Sequence, residues 1–176
     1  PRTDITIDAM CVHHITNEMV SQKPYFKGSP VAKKLQILLN DPENYLVAHN
    51  AKFDVEMLNR EGISTERVIC TLKIARYLDP EGKIPKYNLQ YLRYFLKFNI
   101  KAPAHDALGD ISVLELLFQR LLTGIKKIKN DDKDLAVQAM VEISKKPSLL
   151  VRMFFGKHKG EFFKDIPKDY LKWLAG

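Results

Sequence analysis

Two short apolar runs, each followed directly by a helical pattern, constrain the fold of this chain most strongly. Residues 45–48 and 67–70 have the length and side chains of buried strands. A helical pattern follows the first run at about residues 52–60, and Thr71 is predicted to cap another that continues to about residue 78. Strands that alternate with helices are typical of layered α/β architectures. We therefore expect an α/β fold.

The rest of the chain adds helices but few strands. Helical patterns cover residues 31–39, 88–97, 107–124, 131–144 and 168–174. Asn88 is the predicted N-cap of the helix at 88–97. Two strands are too few to support so many helices. We therefore expect further strands before Pro1, and the alternative is a mostly helical domain with a minimal sheet.

Charge is unevenly distributed over the 176 residues. The whole chain carries a net +7, and residues 126–176 alone hold twelve Lys or Arg against seven Asp or Glu, which is +5. A basic tail behind a nearly balanced body suggests a polyanionic partner such as nucleic acid. A lysine-rich, solubilising surface is the alternative explanation.

The cysteines and the hydropathy argue against a disulfide-rich or zinc-binding protein and against a membrane-spanning one. Cys11 and Cys70 are too few for a disulfide framework or a zinc site, and both are expected to be reduced core thiols in a reducing, cytoplasmic compartment. No apolar stretch approaches the ~20 residues that span a bilayer, so no membrane partner is expected.

His105 and Asp110 form the first candidate site. Asp110 begins an apolar helical run and shares a helix face with Leu114, Leu117 and Leu121. A carboxylate on a buried face is costly unless a cation or hydrogen-bond donors meet it. The pair therefore suggests a metal-dependent hydrolase, although an acid that favours a helix N-terminus beside a loop histidine would give the same pattern.

The segment after the first predicted strand supplies a second candidate site. His49 and Asn50 follow residues 45–48, and ligands of open α/β sheets bind at the carboxyl ends of strands. Asp54 falls in the first turn of the next helix. The alternative is a capped helix with Asn50 as N-cap and Asp54 favouring the dipole.

Taken together, these residues resemble a known family. The run from His49 to Asp54, followed by His105 and Asp110 five positions apart, resembles the second and third motifs of the DEDDh 3′–5′ exonucleases, relatives of the proofreading epsilon subunit of DNA polymerase III. Residues 9–20 are also similar to that family, and the resemblance covers about residues 5–124. It implies a ribonuclease H-like fold that lacks its first strands.

The resemblance also implies roles for the candidate residues. Asp54 and Asp110 would be ligands of two Mg²⁺ or Mn²⁺ ions, and His105 would be the general base that deprotonates the attacking water. Substrate contacts would come from His13, His49, Asn50 and Phe53. The implied partners are a single-stranded nucleic-acid 3′ end, whether DNA or RNA, and a DNA polymerase.

One family motif is absent from the sequence. The first motif is Asp-x-Glu on a strand, and the three places where this pattern occurs, at residues 41–43, 54–56 and 79–81, do not lie on strands. We expect the missing pair before Pro1 and expect this chain to be a weak or inactive enzyme. The alternative is a non-catalytic nucleic-acid-binding or scaffolding module with the same fold.

The C-terminal residues are expected to form a separate unit. Residues 154–174 resemble a small module of unknown function that follows such exonucleases in some proteins. We divide the chain into an exonuclease-like domain (1–125), a linker helix (126–147) and a basic β-hairpin with a helix (148–176). Lys157 and Lys159 are candidate phosphate contacts, with packing of the hairpin on the body as the alternative.

Overall fold

A small parallel sheet and the helices around it form the body of the protein. The computed structural model describes residues 3–100 and 107–175. Within them, strand β1 (Leu46–Ala48) pairs in parallel with β2 (Val68–Cys70), and Leu46 lies opposite Val68. The helices are α1 (Ile7–His13), α2 (Asn17–Val20), α3 (Pro30–Asn40), α4 (Lys52–Arg60), α5 (Thr71–Tyr77), α6 (Leu89–Phe95), α7 (Ala107–Ile128), α8 (Lys133–Lys145) and α9 (Lys168–Ala175).

The main core lies between β2 and the helices α5 to α8. Helix α7 buries Val113, Leu117, Leu121 and Ile125 at successive four-residue steps, which is the spacing of one helix face. Helix α8 adds fully buried Ala136 and Met140. The same cluster contains Ile69, Ile74, Ala75, Leu92 and Val141. The α/β architecture predicted from the sequence is confirmed.

Helix starts agree with the sequence in one place and differ in two. Asn88 caps α6, because its side chain accepts the Tyr91 N–H at 2.8 Å. Asn50 has a left-handed φ of 66°, and the N-cap of α4 is Ala51 without a side-chain bond. The alternative reading of Asn50 as an N-cap is therefore wrong. Thr71 is the first residue inside α5, whose N-cap is Cys70.

The segment predicted as a linker contributes to the core. Helix α7 continues four residues past Gly124, and the left-handed Asn130 and Asp131 turn the chain into α8. Helix α8 packs against α7 and β2. The division into units at 125 and 147 stays a prediction, but α8 is a layer that covers the sheet.

Two further expectations are corrected by the structure. Cys70 is buried as predicted, whereas Cys11 is exposed. The hairpin predicted in residues 149–163 is a chain reversal with one antiparallel bridge, between Arg152 and Phe162, because turns and a 3₁₀ turn (Phe163–Asp165) replace longer strand pairing. None of the described helices is long and apolar enough to cross a membrane.

Candidate active site

The carboxyl end of β1 presents the first group of predicted site residues. The chain leaves Ala48, passes through His49 and the left-handed Asn50, and enters α4 at Lys52. Buried Ala51 anchors this turn against Ala48 and Cys70. Asp54 lies half-buried in the first turn of α4, where the helix dipole favours a negative charge.

His49 is held by protein groups on both ring nitrogens. Its Nε2 lies 2.6 Å from the Tyr87 carbonyl oxygen, which can only accept, so Nε2 carries a proton. Its Nδ1 lies 2.9 Å from the hydroxyl of buried Thr71. Burial lowers the pKa of His49, opposed by the bond to Tyr87 and by the charge of Asp54. The ring is therefore fixed and favours its neutral form near neutral pH.

Asp110 is held from the neighbouring helix. It is half-buried in the first turn of α7, and its Oδ1 accepts a hydrogen bond from Gln90 Nε2 of α6 at 2.5 Å. Gln90 follows Tyr87 by three residues. The short segment from Tyr87 to Gln90 therefore contacts both halves of the predicted site. One half is the turn with His49 and Asp54, and the other is the start of α7 with Asp110.

The remaining predicted site residues are less constrained. His105 lies outside the described residues. His13 is exposed at the end of α1, where its Nδ1 accepts the Ile15 N–H at 3.0 Å. Phe53 is 64% exposed, so its ring is available to a ligand and does not contribute to the core. Lys157 and Lys159 are exposed in the C-terminal loop, far along the chain from the two acids.

The described acids supply only part of a metal site. Asp54 and Asp110 offer the carboxylate oxygens that Mg²⁺ and Mn²⁺ prefer. Among residues 3–100 and 107–175, however, no group of three or more His, Cys, Asp or Glu side chains lies close enough together to hold an ion. The donor set suits a divalent cation in kind but not in number, so further ligands are needed for a two-ion centre.

Sequence reasoning missed three residues that shape this region. Thr71, Tyr87 and Gln90 hold His49 and Asp110 through a hydroxyl, a carbonyl and an amide. Gln90 stands two residues after the cap Asn88, in the first turn of α6, but a glutamine there has no distinctive pattern. Long-range partners of this kind become visible only once the helices are placed.

A cavity of about 940 Å³ lies elsewhere in the molecule. It is lined by α5, the end of α7, α8 and residues 146–151, and none of the predicted site residues contributes to it. Its apolar lining includes Ile125, Leu135 and Ile143. The candidate acids thus lie outside this cavity.

Comparison with known proteins decides the family. A family model described as RNase_T, exonuclease, matches residues 1–118, which is more than half of the chain. The chain belongs to this exonuclease family. The exonuclease resemblance inferred from the motifs is confirmed, and membership supports a nuclease, and hence hydrolase, activity.

Two relatives show how far this exonuclease-family chain extends. Exodeoxyribonuclease 10 of Escherichia coli strain K12 is 29% identical over 181 residues, which cover 99% of this chain and 73% of the relative. The DNA polymerase III epsilon subunit of Buchnera aphidicola is 34% identical over 138 residues, covering 73% of this chain and 57% of the subunit. The similarity to the first relative therefore includes the C-terminal residues.

A solved structure of the family agrees with the fold. Exonuclease X in complex with 5′ overhanging duplex DNA superposes with a TM-score of 0.56 at 27% identity, covering 82% of this chain and 76% of that one. The ribonuclease H-like exonuclease fold expected from the motifs is thereby supported over most of the described residues.

Proposed function

We propose that this protein is a 3′–5′ exonuclease that hydrolyses phosphodiester bonds at nucleic-acid 3′ ends. The observation that carries the proposal is the link through residues 87–90, by which the turn bearing His49 and Asp54 and the start of α7 at Asp110 share one short segment. The complex of exonuclease X with DNA and the epsilon relatives support a nucleic-acid substrate and a polymerase partner.

Each residue has a defined task in this proposal. Asp54 and Asp110 would hold divalent cations, which would supply Lewis acidity for the attacking water and the departing alkoxide. Gln90 orients the Asp110 carboxylate by donating to one oxygen and leaving the other free. His105 takes the proton of the attacking water. Exposed Phe53 and the turn at Asn50 contact the terminal nucleotide, and His13 lines the same approach.

His49 is better suited to positioning than to substrate contact. Both of its ring nitrogens already bind protein groups, so it has no free donor or acceptor to offer a nucleotide. Instead it ties the turn before Asp54 to Tyr87. We propose that it fixes the distance between the two acids.

We also propose that these 176 residues hydrolyse little by themselves. Its described acids do not form a cluster of three, and the family's Asp-x-Glu pair does not occur on a strand of this sequence. This same observation favours the second candidate function, a nucleic-acid-binding or scaffolding module without chemistry. The retained Asp54 and Asp110, each half-buried, favour the enzyme.

The test measures Mg²⁺- or Mn²⁺-dependent release of 3′-terminal nucleotides by this chain and by the same chain with an N-terminal Asp-x-Glu strand supplied. We expect the extended protein to be the more active one. In it, Asp54→Asn and Asp110→Asn should each lower the rate by more than the about 10–100-fold loss expected for Gln90→Ala, whose side chain only orients a ligand.

Asp134→Asn is the matched control, because Asp134 is also in the first turn of a helix but is exposed. Its rate should equal that of the unmutated protein. Full activity of the Asp110→Asn protein would contradict the assignment of Asp110, and inactivity of every form would favour the binding module.

A further inference from the structure

The C-terminal loop from Gly156 to Gly160 has a fixed shape. Both glycines are left-handed, with φ of 68° and 92°, a conformation that other residues rarely adopt. The loop is closed at its base by Gly160 N–H to Met153 O at 2.8 Å and Met153 N–H to Glu161 O at 2.9 Å. Met153 itself is buried. The loop is therefore anchored at its base by backbone hydrogen bonds.

Side chains in this loop alternate between the protein and solvent. His158 points inward, with 11% of its side chain exposed, its Nδ1 2.9 Å from Glu161 Oε2 and its ring 4.5 Å from that of Tyr170. Lys157 and Lys159, on either side of it, are exposed. A Cβ on Gly156 would come within 3.0 Å of the Tyr170 hydroxyl, so the loop presses closely on α9.

Further aromatic rings stand before and after the loop in the chain. Tyr170 contacts Trp173, with ring centroids 5.5 Å apart, and Trp173 is 72% exposed. Before the loop, Phe154 and Phe155 contact each other at 4.8 Å and are also exposed. Large aromatic side chains left in water, close in the sequence to exposed lysines, indicate a contact surface.

The charge around these rings favours an anion. Residues 154–174 contain five lysines, Lys157, Lys159, Lys164, Lys168 and Lys172. The acids among the same residues are Glu161, Asp165 and Asp169, and Glu161 is hydrogen-bonded to His158. The five lysines therefore outnumber the three acids.

We propose that this surface, the loop 156–160 with Phe154, Phe155, Tyr170 and Trp173, binds single-stranded nucleic acid outside the candidate active site. Lys157 and Lys159 contact phosphates, and exposed rings stack on bases. The inference rests on the proposed function only for the class of ligand. It gives the C-terminal residues a task that the two acids do not supply, which is to hold the strand.

The chemistry favours a single strand over other anionic ligands. A duplex hides its base faces, whereas a single strand offers both phosphates and ring faces, and each base stacked on an aromatic side chain adds affinity. An acidic peptide would satisfy the lysines but would make little use of four exposed or half-exposed rings. The test therefore compares these ligands.

Trp173 makes the test direct, because it is the single tryptophan of the chain. The whole chain, in EDTA so that no hydrolysis occurs, is titrated with oligothymidylate while tryptophan fluorescence and the anisotropy of a labelled oligomer are recorded. We expect saturable quenching of Trp173. An abasic oligomer and polyglutamate of matched charge should bind more weakly and quench less.

Variants separate the two kinds of contact. Lys157→Glu with Lys159→Glu should weaken binding and reduce the salt slope by about 1.4, the value for two lost phosphate contacts with a single strand. Trp173→Ala should weaken binding about fivefold or more. The control Lys33→Glu with Lys34→Glu reverses two exposed charges on α3 and should change binding far less.

Three results would overturn the inference: no quenching of Trp173, equal binding of polyglutamate, or an unchanged salt slope in the Lys157 and Lys159 variant. These results do not depend on nuclease activity. Loss of hydrolysis with intact binding would contradict the proposed enzyme alone, and intact hydrolysis without quenching would contradict this surface alone.

Discussion

His49 has a hydrogen-bond partner for either of its charge states. When the ring is neutral, Nδ1 accepts from the Thr71 hydroxyl at 2.9 Å. When it is protonated, Nδ1 donates to the Thr71 oxygen, whose own proton then goes to the Ala48 carbonyl at 3.2 Å. Burial nevertheless lowers the pKa of His49, because a charged ring loses more solvation than a neutral one. The neutral form is the one that the fold favours.

This pKa predicts how stability depends on pH. Since the pKa of His49 in the folded chain lies below its usual value of 6.5, the unfolded chain binds the proton more readily. The contribution of His49 is therefore complete above about pH 6.5 and is lost as pH falls toward the folded pKa. We expect the free energy of unfolding, measured with urea, to decrease between about pH 7.5 and pH 5.

His49→Gln should flatten that decrease, because glutamine does not titrate in this range. It should also destabilise the protein by about 1–3 kcal/mol at neutral pH by leaving the Tyr87 carbonyl or Thr71 without a matched partner. Exposed His13→Gln is the control and should keep the original pH dependence. An equally steep decrease in the His49→Gln protein would assign the effect to other groups.

Asparagine shows at this scale what a sequence can and cannot predict. Asn88 and Asn50 both stand before a helical pattern, and only Asn88 accepts an N–H from its helix. Asn50 is instead left-handed because the chain must turn sharply from β1 into α4. Asparagine satisfies both needs, so its identity alone does not distinguish them. The acids Asp54 and Asp110 could be found because their helix starts are strongly patterned.

At the scale of elements, α8 completes the environment of β2. The Cys70 N–H, at the end of the strand, donates to Ser144 Oγ at 2.8 Å, and that hydroxyl donates to Met140 O at 2.7 Å. Lys73 of α5 binds the Ser144 and Lys146 carbonyls at the end of α8. The C-terminal end of α8 thereby binds the backbone N–H at the end of β2, and Lys73 of α5 caps that same end of α8.

Ser144→Ala removes only one oxygen atom, but it should lower the free energy of unfolding substantially. It leaves the buried Cys70 N–H without a partner, which costs about 1–3 kcal/mol of unfolding free energy. Ser112→Ala is the matched control, because Ser112 also bonds a helix carbonyl four residues back, that of Leu108, but is exposed. Urea denaturation of both variants measures the difference, and equal stability would show that Ser144 is dispensable.

The sequence predicted the helix at 131–144 but not this role. Its apolar spacing and its acidic start at Asp132 and Asp134 are local signals, and they placed the helix within one or two residues of Lys133–Lys145. The bond from Ser144 to Cys70 joins residues 74 positions apart. Local patterns carry no information about such a pair, which is why the sequence did not predict that this helix packs on β2.

At the scale of the whole molecule, the loop from Asp79 to Tyr87 connects the candidate site with the C-terminal residues. Burial raises the pKa of Asp79, but the bonds that its carboxylate accepts from the Ile84 and Lys83 amides and the Tyr87 hydroxyl outweigh this, and the pKa is lowered. Tyr87 in turn binds His49. On the other side of the loop, the Gly82 carbonyl accepts from Arg152 Nε at 3.2 Å.

Gly82 is one point at which the C-terminal residues contact the body. Its φ is 64°, and a Cβ there would lie 3.2 Å from both Val151 and Phe162. The Arg152 guanidinium, which binds the Gly82 carbonyl, also stacks on the Phe162 ring at 3.6 Å. A side chain at this turn would therefore crowd Val151 and Phe162, which would have to move by a few tenths of an ångström.

Gly82→Ala should weaken the contact between this turn and residues 151–162. Gly28→Ala is the control that separates crowding from backbone strain. Gly28 is also left-handed, at φ 80°, but an added Cβ there meets nothing within 4 Å. Both variants incur backbone strain of about 1–2 kcal/mol, and Gly82→Ala adds about 1–3 kcal/mol of crowding. We expect Gly82→Ala to be the less stable in urea, to be cleaved sooner by protease within residues 147–152, and to weaken the binding of oligothymidylate. Equal behaviour of the two variants would mean that the tail is held by other contacts.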